Sequence, residues 1–380
     1  MRLSAIVLIV ALAFVTVAEQ QAGPAHLASR PDTVVWGEIP IDRPPALTVR
    51  SGATVAIDTI SHQGATQDVE PVAFLSAMGV RREEILQDAV DFWNSRAGRP
   101  REGRGAHILT GPVYIEQAEP GDTLEIKIIE FALRTPFGIN SSGPAGGVLG
   151  SGYPGTRAGD TPPTAAPRLI RTGQEAGRAV AFVSPQVLVP LRPFMGTMAV
   201  APRRPGLDVP GVTVDGVQTS RPPGAFGGNL DFRDLTAGAS LFLPVFQRGA
   251  QFYVGDPHSA QGDGEVNGTG IETLMSVTLK FGLVKRAHLP ELRFTTPAKR
   301  PLTRAGAGGY YATTAHGPDL FTNAQTAVRY MVEHLAKTYR MSREQAYCLC
   351  GAAVDLKISE IVDAPNWIVS AYLPLSIFKR

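Results

Sequence analysis

Forty glycines and 31 prolines punctuate a chain of 380 residues, and this density limits the length of regular element the chain can sustain. Proline removes a backbone donor and fixes φ, while glycine weakens the interior of helices and strands. Many turns and short strands follow, in preference to long helices. With 44% hydrophobic residues the chain can bury a sizeable core and has room for two subdomains. Its net charge is only +2 and no basic stripe with interleaved aromatics is present, so nucleic acid is not an expected partner.

The N-terminus reads as a targeting segment. Met1-Arg2-Leu3 precedes an apolar run from Ala5 to Ala18, with Thr16 and Ala18 as small residues before a cleavage point. Residues 1–18 are therefore expected to be a signal peptide, with an uncleaved anchor as the alternative. The run is short for a membrane span, so no stable membrane insertion is expected, and a single Arg gives no twin-arginine signal. The mature chain is expected to be secreted or periplasmic.

A Pro-rich lead occupies residues 19–45. Ala46 to Ile60 reads as one or two strands, Arg82 to Trp93 as a short helix, and Leu188 to Pro202 as an apolar strand framed by prolines. Leu274 to Phe281 alternates, placing Met275, Val277, Leu279 and Phe281 on one face. Thr135 to Pro167 reads as a covering loop. Its Asn140-Ser141-Ser142-Gly143 is faintly similar to serine-type amidases, but no nearby Lys completes that chemistry. Val209 to Gly224 reads as a polar surface loop.

Helical spacing takes over near residue 320. Ala324, Ala327, Val328, Met331 and Leu335 fall on one face, and Ser342 with Gln345 gives a capping-box signature for a second helix. Val354–Ile358 and Trp367–Leu373 then read as strands. Cys348 and Cys350, two apart on that second helix, point in different directions and are expected to be buried thiols, not a disulfide or a nucleophile. The fold class is α+β, predominantly β: antiparallel sheets, β-sandwich-like, with a C-terminal helical hairpin and strands. A β-rich domain over 46–320 and an α/β part over 321–380 packed on it are the expected units.

Candidate chemistry concentrates between Phe226 and Glu272. Asn229 and Asp231 open this stretch, and Gly255-Asp256-Pro-His258-Ser-Ala-Gln261-Gly-Asp263-Gly-Glu265 brings three acids, one His and three Gly into eleven positions. In an extended segment residues two apart share a side, so Asp256 and His258 can converge on one point. Gly262 and Gly264 permit a fold-back that returns Asp263 or Glu265 to the same place. Carboxylate with neutral imidazole suits zinc or another borderline divalent ion. The same run also reads as a glycine-rich turn with solvated acids. His62 and His107, each at a strand end, are further candidates.

These residues carry a resemblance. Gly227-Gly-Asn229-Leu-Asp231, Leu241-Phe-Leu-Pro-Val245 and Gly255 to Glu265 resemble the signature of the acetamidase/formamidase family. Gly111-Pro-Val-Tyr-Ile-Glu116 to Asp122, and Pro193-Phe-Met-Gly196 with Val200-Ala-Pro202, are similar to two further blocks in the same order, and Ser342 to Ile361 matches in pattern. The resemblance spans roughly residues 45 to 375. It implies hydrolysis of a short linear amide, formamide or acetamide in type, to a carboxylic acid and ammonia, by a homo-oligomer.

His62-Gln-Gly and His107-Ile-Leu-Thr-Gly-Pro resemble a branch with His at both places. Gln63 departs from that branch, where Glu is expected, and the signal peptide departs from cytoplasmic relatives. The expected arrangement is a divalent metal, zinc in type, held among His62, His107, Asp256 and His258, with Glu265 or Asp231 as acid/base and Asn229 and Gln261 as donors to the oxyanion. A secreted amide-binding protein without activity, and a metal hydrolase acting on another bond, are the competing readings.

Overall fold

The computed structural model describes residues 24–96, 105–142, 147, 166–203, 217–265, 267–298, 308–343, 346, 349–350 and 354–378. The signal-peptide segment and Cys348 lie outside them.

Among the described residues the strands form three sheets. The largest has nine, in the spatial order Ala25–Leu27, Thr54–Thr59, Met275–Val284, Thr123–Leu133, Ser240–Pro244, Arg293–Thr295, Tyr310–Gly317, Trp367–Pro374 and Asp355–Glu360. All neighbours are antiparallel except the first pair. A second sheet runs Gly227–Asn229, Phe194–Ala199, Phe252–His258, Ile108–Ile115 and Val34–Trp36, with Leu47–Val49 parallel to Ile108–Ile115. A third, of four strands, pairs Val187–Pro190, Arg178–Ser184, Ala166–Glu175 and Phe137–Ser142.

The first two sheets pack face to face, as a sandwich. Met275, Val277, Leu279 and Phe281 alternate with more exposed neighbours and are fully buried. They share one core with Ile126 of the same sheet and with Leu109, Val113, Met198 and Phe252 of the facing sheet. The rings of Phe252 and Phe281 meet across the layer at 5.2 Å between centroids. Each such buried ring contributes about 1.5–3 kcal/mol relative to exposure.

Helix Leu320–Tyr339 lies on strands Tyr310–Gly317 and Trp367–Pro374. Asp319 caps it by accepting from the Thr322 amide, and Arg340 ends it in a left-handed conformation. Its buried stripe is Asn323, Ala327, Met331 and Leu335, with Ala324 and Val328 only half-buried. Asn323 is tolerated inside because its amide donates to the Gly317 and Trp367 carbonyls. Arg343, Ala346, Leu349 and Cys350 are helical again, so a second helical stretch follows the first, and Cys350 is a buried free thiol.

Three expectations are corrected. The helix over Arg82 to Trp93 is a 3-10 turn at Arg82–Glu84 and a separate helix at Gln87–Ser95, because Ile85 and Leu86 are extended; a helix at Pro71–Ala77 precedes them. Asn140 and Ser141 belong to a strand, not a loop, held by Thr269 and Asn267. The end of the loop before Gly224 is not at the surface: Gln218, Thr219 and Ser220 are buried. Among the described residues no helix is long and apolar enough to cross a membrane.

Candidate functional site

Four backbone segments converge at one end of the second sheet. Strand Phe252–His258 delivers Asp256 and His258, and pairs with Phe194–Ala199 on one side and Ile108–Ile115 on the other. His107 stands just before Ile108–Ile115, and His62 follows Thr54–Thr59. The chain then turns back after His258, where Glu272 forms an isolated antiparallel bridge with it.

The side chains meet accordingly. His258 Nε2 lies 3.4 Å from Asp256 Oδ2, 2.9 Å from Glu272 Oε1 and 3.9 Å from Glu265 Oε1. His62 Nδ1 is 3.5 Å from Asp256 Oδ1 and 3.9 Å from Glu272 Oε2. His107 Nε2 is 3.9 Å from Asp256 Oδ2. Three overlapping groups could each hold an ion, with ligand atoms mutually within 4.8 Å: His62, His107 and Asp256; Asp256, His258 and Glu272; and Asp231, His258 and Glu265.

Asp256 and Glu265 reach these positions from left-handed backbone, with φ of 56° and 46°, and Asp231 does the same at 46°. Few non-glycine residues adopt that region, and such outliers cluster where a site over-determines them. Gly264, at φ 82°, makes the fold-back that brings in Glu265, while Asp263 turns away to Lys357 and Arg233. Gly196 matters for a different reason. A β-carbon there would collide with Asp256 Oδ2 and Asp231 Oδ1, so its bare backbone is what lets the two carboxylates approach.

The electrostatics are those of a charge cluster closed to water. Burial opposes charge on His258, but the Glu272 and Asp256 carboxylates overcome it and raise its pKa well above the ordinary value. Burial likewise works against charge on His62, whose pKa is still raised by its bond to Asp256 and by Glu272. His107 is pushed down to about 4 by burial, against the attraction of Asp256. Burial disfavours the Asp256 charge, yet His107 and His258 hold that carboxyl well below the usual range. Asp231 and Glu265 move far upward, each chiefly by burial; Glu265 adds to the effect on Asp231, and Asp363 to that on Glu265.

The donor chemistry fits a cation. Among the described residues Asp256 Oδ1 and Asp231 Oδ1 are buried without a well-formed hydrogen bond, and His62 Nδ1 and His258 Nε2 face carboxylate oxygens of Asp256 and Glu272. Carboxylate oxygens buried at this density are costly unless something positive sits among them. The other ring nitrogens are engaged. His107 Nδ1 lies 3.1 Å from both the carbonyl and the hydroxyl oxygen of Ser220, and His258 Nδ1 lies 2.6 Å from Gln261 Oε1. In His107 and in neutral His258 a donor N–H on that side leaves the opposite nitrogen as a lone pair, the arrangement in which imidazoles bind metal, whereas His62 Nε2 lies 3.3 Å from the Gln63 amide nitrogen.

All eight expected residues lie in this neighbourhood, but Asn229 is differently employed. Its amide donates to Asp231 Oδ2 at 2.7 Å and to Asp363, and its oxygen accepts from Thr197. It bridges two carboxylates and presents no spare donor to an oxyanion. Gln261 bridges His258 and the Asp231 carbonyl. Sequence reasoning missed Glu272, Ser220 and Asp363. Glu272 ends the stretch already singled out, and its signal was spacing: it lies far enough past the glycine-rich turn to pair back onto His258. Ser220 and Asp363 carried no such signal.

The model of the Acetamidase/Formamidase family matches residues 208–380. A formamidase of Methylophilus methylotrophus is 27% identical over 317 residues, covering 72% of this chain and 77% of that protein. An acetamidase of Mycolicibacterium smegmatis is 30% identical over 219 residues, 47% of this chain and 54% of that one. The crystal structure of an acetamidase from Bacillus halodurans shares 25% identity and superposes with a TM-score of 0.68, covering 93% of this chain and 98% of that chain.

Proposed function

We propose, because this chain belongs to the acetamidase/formamidase family and gathers three histidines and four carboxylates at one buried point, that it hydrolyses the carbon–nitrogen bond of a short linear amide to a carboxylic acid and ammonia. The observation that carries the reading is the convergence of His62, His107, Asp256, His258 and Glu272, whose ligand atoms lie mutually within 4.8 Å in overlapping groups. Imidazole nitrogen and carboxylate oxygen without thiolate suit zinc or another borderline divalent ion.

His62, His107, Asp256, His258 and Glu272 are the residues that would hold it. A divalent ion in such a site supplies a Lewis acid for the amide carbonyl and eases deprotonation of water. The chain's own groups do the rest. Glu265 in its ionised form takes the proton of the attacking water as the carbon–oxygen bond forms. It returns that proton to the nitrogen as the carbon–nitrogen bond breaks, so that ammonia leaves and the acid remains. Asp231, fixed by Asn229, is the alternative proton carrier. Gln261 positions His258, and Ser220 positions His107.

The residues 1–18 support a secreted or periplasmic location for the mature protein, to be checked by fractionation, and a homo-oligomer is the expected assembly, to be checked by light scattering. The deciding experiment is elemental analysis of the purified mature protein, with ammonia release from formamide and acetamide assayed before and after chelation. Stoichiometric metal with chelator-sensitive release is the expected result. Release from metal-free protein would make Glu265 and Asp231 the direct acid/base pair, and metal without ammonia would point to hydrolysis of another bond. Neither metal nor ammonia would leave a binding protein.

A further inference from the structure

A cleft of about 360 Å³ opens beside the cluster, lined among others by Glu265, Gln261, Ile271, Val189 and Arg233. Glu265 and Gln261 belong to the reaction centre described above, so the cleft leads outward from it. Acetamide has four non-hydrogen atoms and at liquid-like packing fills roughly 120 Å³, taking about 30 Å³ for each. The space is larger than such a substrate uses.

The far wall is basic. Arg233 follows Asp231 by two residues, which keeps their Cα atoms within about 7 Å. Its side chain is 30% exposed. Asp263 Oδ2 is 3.4 Å from its Nε, but that contact is not a hydrogen bond, and Nε has no hydrogen-bond partner among the described residues. Asp263 is in turn engaged by the Lys357 ammonium at 3.0 Å. Lys357 and Arg192 also share Asp234, so three cations face two carboxylates, and the guanidinium keeps attraction for a further anion at the cleft. Planar guanidinium matches carboxylate in a two-point fork.

From this we infer that the substrate is an amide that also bears a carboxylate, a short ω-amide of a dicarboxylic acid, whose carboxylate is bound by Arg233 while its carboxamide reaches Glu265. The apolar Val189 and Ile271 line the path of the intervening methylenes. The inference rests on the amidase reading and names the substrate class within it.

The test compares kcat/KM for succinamate and glutaramate with that for the neutral diamides succinamide and glutaramide, in the native protein and in Arg233→Met and Arg233→Lys. The native enzyme is expected to prefer one of the two charged amides over its diamide by roughly ten- to hundredfold, the usual worth of a hydrogen bond to a charged group. The ratio should fall toward one in Arg233→Met and be partly kept in Arg233→Lys. Taking ratios cancels any general loss of active protein. Asp263→Asn, which frees the guanidinium, should raise the preference. A native ratio near one, with ammonia still released from acetamide, overturns the inference and leaves the amidase reading standing. A preference that survives Arg233→Met overturns it as well. Ammonia from none of the amides would sink both.

Discussion

His258 Nε2 and Glu272 Oε1 stand 2.9 Å apart, and the same two residues face each other across an isolated backbone bridge. Side-chain contact and backbone register therefore fix each other, and Glu272 also reaches His62 and Ser61. Replacing it with Gln keeps the shape and removes the charge. Glu272→Gln should lower metal affinity and kcat/KM by roughly 10- to 100-fold, the range typical of partners that orient or supply ligands. Metal titration and steady-state kinetics on one preparation would show it. Unchanged values for both would remove Glu272 from the site.

Gly196 offers a test by addition. A single methyl at this position would overlap carboxyl oxygens of both Asp256 and Asp231. Overpacking of this kind costs about 1–3 kcal/mol, which a large core tolerates. Gly196→Ala should therefore fold with a modestly lowered melting temperature yet fail to retain a stoichiometric ion. A variant that binds the ion as the native protein does would show that Asp256 and Asp231 are not drawn together around it.

The sequence displayed the sandwich clearly where one face is buried. Met275, Val277, Leu279 and Phe281 alternate because a strand has period two and only one side meets the core. Asp256 and His258 were legible for a similar reason, lying two apart at a strand end. Less could be seen of the long-range pairs. Ser220 reaches His107 across 113 positions, and Asn229 reaches Asp363 across 134, and no local period encodes such distances. The break of the helix at Ile85 was hidden because apolar residues at helical spacing continue through it. Asn323 was passed over as an interior residue because its partners are carbonyls brought near only by the fold.

His334 provides a pH-dependent test away from the site. It stacks on Tyr311 at 3.7 Å between centroids, and burial with the nearby Arg293 charge pushes its pKa down to about 4. The unfolded chain, with an ordinary value near 6.5, binds the proton more readily. Stability from the neutral ring is thus fully present above about pH 6.5, is lost as pH falls, and stops changing below about 4. The loss in urea midpoint between pH 7 and pH 5 should be smaller in His334→Phe, which keeps an aromatic ring and cannot titrate. Equal losses in the two proteins would contradict the depressed pKa.

Asp234 anchors the C-terminal strands to the sheet beside the site. It accepts from Arg192, from the Lys357 ammonium and from the Tyr372 hydroxyl, and is itself buried. Lys357 is on the edge strand of the large sheet, so this carboxylate ties that strand to the segment carrying Asp231. Removing it leaves two cations in a largely dry setting, and breaking one side of a buried pair costs about 3–5 kcal/mol. Asp234→Ala should lower the unfolding free energy read from urea titration by that much, with a matching fall in midpoint, while Asp234→Asn, which still accepts from Tyr372, loses less. If both variants match the native midpoint, the network is a crossing of side chains without energetic weight, and the C-terminal unit must be held by the apolar contacts of Met331, Leu335 and Leu373 alone.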